Sequence, residues 1–511
     1  MTICYVVLMQ CFEPSTVCSR ILPAKSRGPR RHVSWGLAAA LLSTVGCTAS
    51  NEVPTASGPV DLAEVKPHDE SRRLPGVPLI SVHGPTPRPD RVILSWAGDP
   101  SRTQAVTWRT DSTVSVGLAE IAVAEDNGQF AKRARQLKAK TSPLTTDFGK
   151  SHYHSVEFAA LIPATKYACR VGDGANWTEW FHFVTASDQP LPFSFVYFGD
   201  AQTELKSLWS RVIREAFVNA PDAKFFLHAG DLVNDSNRDA EWGEWFQAGG
   251  WLNAMIPSVA CPGNHEYQKF GKGLSMSLTD FWRPQFTFPT NGPPDMDETV
   301  YYLDYQGVRI VSLNSNERTA EQAAWLDQLL QDNPCRWTIV TCHHPIYSAA
   351  RARDNAVLRS QWQPIFDKHH VHLVLQGHDH AYARTGLVKA QSTEAKTGNA
   401  STSLPGYRRT GGTVYVVSVS GPKMYDLDSS TRTEFRRSAE DVQLFQIVSI
   451  DGDELRYLAR TAVGTLYDGF TLRQSRGGEI EIIEQVPETP QRRREPLNPT
   501  VPVSTPPPHR D

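Results

Sequence analysis

The sequence carries no surplus of basic charge. Against 52 Lys and Arg stand 55 Asp and Glu, a formal net charge of -3 with a pI near 6.6. The chain therefore lacks the basic field through which nucleic-acid binders gain counterion-release energy, and no nucleic-acid partner is expected. Its eight cysteines, at 4, 11, 18, 47, 169, 261, 335 and 342, form no CxxC pair, so the signature of a zinc knuckle or dithiol redox motif is missing. Disulfide pairing among the last four stays open, and Cys342, inside an apolar run, also suits a buried free thiol. The apolar run Trp35–Gly46 is too short to cross ~30 Å of hydrocarbon as a helix of ~20 residues. Placed after Arg27, Arg30 and Arg31, it has the form of an export signal instead. No internal repeat is present.

What is there is an ordinary globular composition, 40% hydrophobic and 21% charged, in 511 residues. That length exceeds what one core usually spans, so at least two domains are expected. Residues 1–47 are expected to be a leader. Val45-Gly46 before Cys47 resembles a bacterial lipoprotein cleavage box, although Thr44 stands where such boxes usually carry Leu. The expectation is an exported protein, periplasmic or extracellular, anchored to a membrane through lipidated Cys47, with plain signal cleavage as the alternative. Residues 48–89, rich in Pro, Ser and charge, are expected to be a disordered tether, and residues 473–511 a disordered tail in which Arg492–Arg494 is a solvated patch. Between them the pattern changes once. Residues 90–187 hold short alternating segments such as Ala105–Trp108 and Tyr167–Val171 parted by turn residues, the pattern of a β-sandwich. Residues 190–472 alternate apolar strands with helical spacing, an α/β domain. Trp242, Trp245, Phe246 and Trp251, at helical spacing, are expected in the core or a pocket wall rather than on a base-stacking surface.

Five polar motifs follow predicted strand ends in chain order, the position at which α/β folds build ligand sites. They are Gly199-Asp200-Ala-Gln202, Gly230-Asp231-Leu-Val-Asn234, Gly263-Asn264-His265-Glu266, His343-His344-Pro345 and Gly377-His378-Asp-His380. A single Gly-Asp after a strand is most often a turn or cap. Five in sequence supply the oxygen and imidazole donors that hard or borderline divalent metals need.

The order and spacing of these motifs resemble the calcineurin-like metallophosphoesterase superfamily. With Leu161–Tyr167, Arg170–Gly174 and Phe183–Ala186 in a preceding sandwich, the chain resembles purple acid phosphatases over about residues 90–470. The resemblance implies a metallophosphoesterase-type catalytic domain, a β-sandwich flanked by helices, after an all-β fibronectin III-like domain. It implies two metal ions: Asp200 and His380 on the first, Asn264, His343 and His378 on the second, Asp231 bridging both. Two cations ~3.5–4 Å apart would neutralise a phosphate ester and acidify a water to the attacking hydroxide. His265 would contact phosphate and protonate the leaving group, the alternative being a partner for Asp200; Glu266 would brace a ligand or cap a helix. Purple enzymes carry a metal-bound Tyr where this chain has Asn234, and Gln202 stands where the wider superfamily often has a His ligand. Either amide oxygen is a candidate ligand, and the metals stay open among Fe, Zn and Mn. The loop after His343 lacks a substrate-contacting His, near Ala352; His344, Arg351 and Arg353 are candidates for phosphate contact. The expected activity is hydrolysis of phosphomonoesters. The alternatives are phosphodiester hydrolysis by the same fold and a non-catalytic surface protein binding phosphate or a partner. Oligomeric state is not encoded in any motif seen.

Overall fold

The computed structural model describes residues 76–269, 276–389, 411–428 and 434–494. The leader, Cys47 and residues 495–511 lie outside these. Among the described residues no helix is long and apolar enough to cross a membrane.

Two antiparallel four-stranded sheets come first. One orders Asp90–Ser95, Gln104–Asp111, Gly149–Phe158 and Lys140–Thr146; the other orders Arg135–Lys138, Leu118–Val123, Lys166–Gly172 and Phe181–Val184. Their inward residues, among them Val106, Trp108, Ile121, Val171 and Phe183, share one core. Buried charge fastens this sandwich to the α/β domain. Asp239, at the start of the helix Asp239–Gly249, pairs with Arg91 at 2.5 Å and Arg109 at 3.1 Å. All three side chains are buried, so removing one partner would strand an unpaired ion.

Two seven-stranded sheets then face each other. In the first, Phe193–Phe198, Phe226–Ala229 and Ser258–Cys261 run parallel; in the second, Val308–Ser312, Trp337–Thr341, Leu373–Gln376 and Val414–Val417 do. Residues of both sheets, such as Phe195, Leu227, Ile339 and Leu375, fill one shared core. The helices Thr319–Gln331 and Ala356–Lys368 cover the outer face of the second sheet through Leu326, Leu330, Trp362 and Phe366. Strands buried on both faces read as continuous apolar runs, which is why Phe193–Phe198 and Trp337–Thr341 stand out in the sequence.

The chain departs from its sequence-based expectations at several places. The tether forms a helix at Leu79–His83 whose His83 is buried, seated where a Cβ on Gly243 would lie 2.6 Å from the imidazole. The tail is not disordered from residue 473: Leu466–Gln474 turns through Gly477-Gly478 into the strand Ile480–Glu484, burying Ile480 and Ile482. Arg494 there pairs with Asp426 and Asp441 rather than standing in solvent alone. Arg135–Lys138 and Lys140–Thr146 escape hydropathy because they are polar, largely exposed edge strands. The helical stretch from Leu205 opens with a π-turn, Leu205–Trp209, before Ser210–Asn219. Trp242, Trp245 and Phe246 are buried as expected, but Trp251 is 52% exposed. Cys169, Cys261, Cys335 and Cys342 are free thiols.

Candidate metal centre

The five motifs leave the C-terminal ends of parallel strands from both sheets, and backbone constraints bring them together. A Cβ on Gly263 would lie 2.1 Å from Asp231 Oδ1, and one on Gly377 would lie 2.4 Å from Asp200 Oδ2. Those two glycines let a neighbouring loop approach each carboxylate. Asp200, Asp231, His378 and His380 all hold positive φ, at 33°, 51°, 74° and 48°. Such conformations cost on the order of 1–3 kcal/mol each and persist where the surroundings enforce them.

Two donor groups result. Asp200, Asp231 and His380 form the first and Asp231, His343 and His378 the second, the ligand atoms of each lying within 4.8 Å of one another. Asp231 is common to both. The amide of Asn264 joins the second, its Oδ1 lying 3.1 Å from His343 Nε2 and 2.9 Å from His378 Nδ1. His343 Nδ1 donates to the carbonyl of Ala229 and His380 Nδ1 to that of Lys423, both at 2.9 Å, which turns each Nε2 toward the carboxylates. Fixing the far nitrogen in this way is how metal-binding histidines are oriented.

The donor set fits cations. Asp200 Oδ2 accepts from the amide of His378 at 2.7 Å, whereas its buried Oδ1 accepts no hydrogen bond. Burial works against the Asp231 carboxylate, yet the His343 imidazole outweighs it and holds the carboxyl well below its usual range. Burial and the Asp231 charge push Asp200 well above its own, against the pull of His343. Burial lowers His343 as well, but Asp231 raises it to about 9. Burial and neighbouring cations lower His378, and lower His380 to about 3. A proton on His343 thus offsets carboxylate charge that a divalent ion would offset better, and cation binding would release it.

Glu266, fully buried, braces the centre. Its carboxylate accepts from the amides of Asp231 and Leu232 at 2.9 Å and of Gly263 at 2.7 Å, tying two ligand loops together. His265 sits apart from the donor groups. Its amide donates to Asp231 Oδ1 at 2.9 Å, its Nδ1 donates to the Asn234 carbonyl, and its Nε2 lies 3.9 Å from Asp231 Oδ2. The ring is a quarter exposed and opens on a cleft lined by Asn234, Asp235, Ser236, Asn237, Tyr267 and Met276. No contact joins it to Asp200, so the alternative of an Asp200 partner is not what the structure forms.

The two amides expected near the first group behave differently from expectation. The Asn234 side chain, exposed, makes no hydrogen bond to the ligands among the described residues; its backbone amide binds Glu241 at 2.9 Å. Gln202 is buried in the site, but Lys423 Nζ donates to its Oε1 at 3.3 Å. The Gln202 NH2 consequently faces Asp231 Oδ2 at 2.7 Å and His380 Nε2 at 3.3 Å. In this orientation Gln202 donates to the shared carboxylate instead of presenting oxygen. His344 lies against His378, ring centroids 4.2 Å apart, and shares a hydrogen bond with Ser315 at 2.8 Å. Burial lowers its pKa to about 3. Arg353 reaches the centre: it donates to the His378 carbonyl at 2.7 Å and lies over the Tyr425 ring at 4.9 Å. Arg351 is exposed, and its backbone N–H donates to the Asp426 carbonyl at 3.0 Å.

Three contributors went unread in the sequence. Asp379 accepts from Ser348 Oγ at 2.7 Å and from the amides of Ala349 and Ala350 at 2.6 and 3.1 Å, pinning the loop beyond His343. Ser315 holds His344. The segment Ser418–Tyr425 lines the first donor group and follows an apolar strand, Val414–Val417, with Ser420-Gly421. That strand-then-glycine signal is the one that marks four of the five motifs, and it was available in the sequence.

The family profile described as calcineurin-like phosphoesterase matches residues 193–382, and that of the purple acid phosphatase N-terminal domain matches residues 89–185. A probable purple acid phosphatase 20 of Arabidopsis thaliana is 26% identical over 310 residues, spanning 59% of this chain and 70% of the relative. Acid phosphatase type 7 of Danio rerio is 26% identical over 331 residues, spanning 58% and 71%. In fold, the chain is similar to purple acid phosphatase PPD1 from yellow lupin seeds, with TM-score 0.62 and 18% identity over 78% of this chain and 76% of that one. PhoD is also similar in fold, with TM-score 0.58 and 12% identity over 83% and 96%.

Proposed function

We propose that this chain, a purple acid phosphatase-like member of the calcineurin-like metallophosphoesterase superfamily, is a two-cation enzyme that hydrolyses phosphomonoesters. The observation that carries the reading is the pair of donor groups sharing one carboxylate, Asp231. Asp200, Asp231 and His380 would hold one cation, and Asp231, Asn264, His343 and His378 the other. Bound there, two cations supply charge neutralisation for the phosphoryl group and acidify a water.

The chain's own residues do the rest. Asp231 fixes the two positions relative to each other, held by Glu266 behind it and by the Gln202 amide in front. His265, on the cleft side and a member of neither donor group, is placed to protonate a departing alkoxide, with its Nδ1 anchored on the Asn234 carbonyl. His344 and Arg353 border the His378 side and would contact phosphoryl oxygens. With the Asn234 side chain unbonded to these groups among the described residues and Gln202 presenting its NH2, no amide oxygen is added to the first group, and carboxylate with imidazole accommodates Fe, Zn or Mn.

The test is a panel of mono- and diesters assayed with metal-free protein reloaded separately with Fe, Zn and Mn. The proposal expects two cations per chain and faster turnover of monoesters. Faster turnover of diesters would move the assignment to that class, and a fully loaded protein without turnover on any ester would refute the enzyme reading.

A further inference from the structure

Lys423 is held against the first donor group more tightly than a surface lysine needs to be. Its segment is fastened at four points. Ser420 donates to the Gly199 carbonyl and Gly421 to that of Asp200, both at 2.7 Å; Tyr425 donates to the His380 carbonyl at 3.0 Å; and the Lys423 carbonyl accepts from His380 Nδ1 at 2.9 Å. Gly421 makes the approach feasible, since a Cβ there would lie 2.7 Å from the carbonyl oxygens of Asp200, Ala201 and Gln202. The lysine is therefore fixed relative to the ligands by backbone, not by a flexible loop tip.

Its ammonium is left short of negative charge. It is partly buried, donates to the neutral Oε1 of Gln202 at 3.3 Å, and forms no ion pair among the described residues. The Tyr425 ring, whose centroid lies 5.7 Å away, is packed on His380 at 4.5 Å and offers only its π-face. Arg353, on the same ring, is already engaged by Asp379 at 3.6 Å and by the His378 carbonyl. A partly desolvated ammonium without a counter-ion is costly unless an anion arrives to complete it. Lys423 lies one side chain, Gln202, away from the shared carboxylate, where that anion would be a phosphoryl group.

We propose that Lys423 binds a non-bridging oxygen of the phosphoryl group and thereby selects monoesters, which are dianionic, over diesters, which carry a single charge. The inference rests on the phosphoesterase reading above and adds to it the residue that distinguishes the two ester classes. Coulomb attraction to the ammonium scales with the charge on the ester, so the same contact favours the dianion.

The experiment compares the cation-loaded wild type with Lys423→Met, which keeps the stem without the charge, and Lys423→Arg, which restores charge. Three readouts are taken: inorganic phosphate binding by calorimetry, kcat/KM for 4-nitrophenyl phosphate and bis(4-nitrophenyl) phosphate, and cations per chain. Lys423→Met should weaken phosphate binding and monoester kcat/KM roughly 10- to 100-fold, the worth of a hydrogen bond to a charged group. Diester kcat/KM should fall only about 3- to 10-fold, since half the charge on the ester halves the Coulomb attraction. Cation content should not change, and Lys423→Arg should recover most of the monoester loss. Unchanged phosphate binding in Lys423→Met overturns the inference, as does an equal fall on both esters with lost cations, which would mark Lys423 as a support for Gln202. A loaded wild type that hydrolyses neither ester sinks the phosphoesterase reading instead, and the phosphate titration still decides the role of Lys423.

Discussion

Replacing Glu266 with Gln separates the stability of the centre from its affinity for metal. One carboxylate oxygen of Glu266 serves the amides of Asp231 and Gly263 at 2.9 and 2.7 Å, and the other serves Leu232 at 2.9 Å. The least disruptive glutamine would keep its oxygen on the first pair and turn its NH2 on Leu232. That leaves one buried N–H unpaired at a cost of about 2 kcal/mol, while the charge assistance lost from the other bonds is already part of the carboxyl's pKa shift. An opposing effect comes from burial, which together with the Asp231 charge raises the Glu266 pKa from 4.5 to about 7. A carboxyl raised in the folded state contributes most below its unfolded value, and that contribution is lost as pH rises through the folded value. At pH 8 the ionised glutamate is therefore disfavoured by about 3 kcal/mol, which glutamine relieves. The two effects nearly cancel, so Glu266→Gln at pH 8 should unfold within a few degrees of wild type. Metal affinity should nevertheless fall roughly 10- to 100-fold, because the brace behind Asp231 and Asn264 is loosened. Thermal melting beside calorimetric metal titration decides the matter. A variant with wild-type affinity and strongly reduced stability would refute the reasoning, since Glu266 would then serve the fold and not the ligands.

Other perturbations probe separate parts of the account. His265→Ala should lose ~10²–10⁴-fold in rate while keeping both cations, with alkyl phosphates suffering more than 4-nitrophenyl phosphate, whose leaving group needs little protonation; equal losses on both would remove the general-acid role. Iron-loaded protein should show no visible phenolate-to-iron band, since Asn234 stands where that tyrosine would be; a purple preparation would contradict this. His228 packs among Phe198, Trp209 and Trp245 with neither ring nitrogen hydrogen-bonded, and burial lowers its pKa from 6.5 to about 3. A depressed histidine contributes stability above its unfolded value that is lost as pH falls. His228→Phe should therefore gain about 2 kcal/mol relative to wild type between pH 6.5 and 5, read from denaturant unfolding at both pH values.

What the sequence disclosed depends on what each interaction needs. Parallel strands buried on both faces must be apolar throughout, so Phe193–Phe198 and Trp337–Thr341 were visible, and with them the motifs at their ends. The candidate ligands were legible because cation chemistry restricts the residue types and the strand ends fix their places. Orientation was not. Whether Gln202 presents oxygen or NH2 depends on Lys423, 221 positions away, and no local pattern encodes that contact. Edge strands such as Lys140–Thr146 were missed because exposed faces tolerate polar residues, and the Ile480–Glu484 strand was hidden by the Pro- and Arg-rich composition just beyond it.

The central claim is that one carboxylate, Asp231, serves two cations, and the most direct measurement is elemental analysis of metal per chain in wild type and Asp231→Asn purified and reloaded identically. The account predicts two cations in wild type, with metal content and turnover falling together in Asp231→Asn. A wild type that saturates at one cation, or an Asp231→Asn protein that keeps two with full turnover, would contradict it.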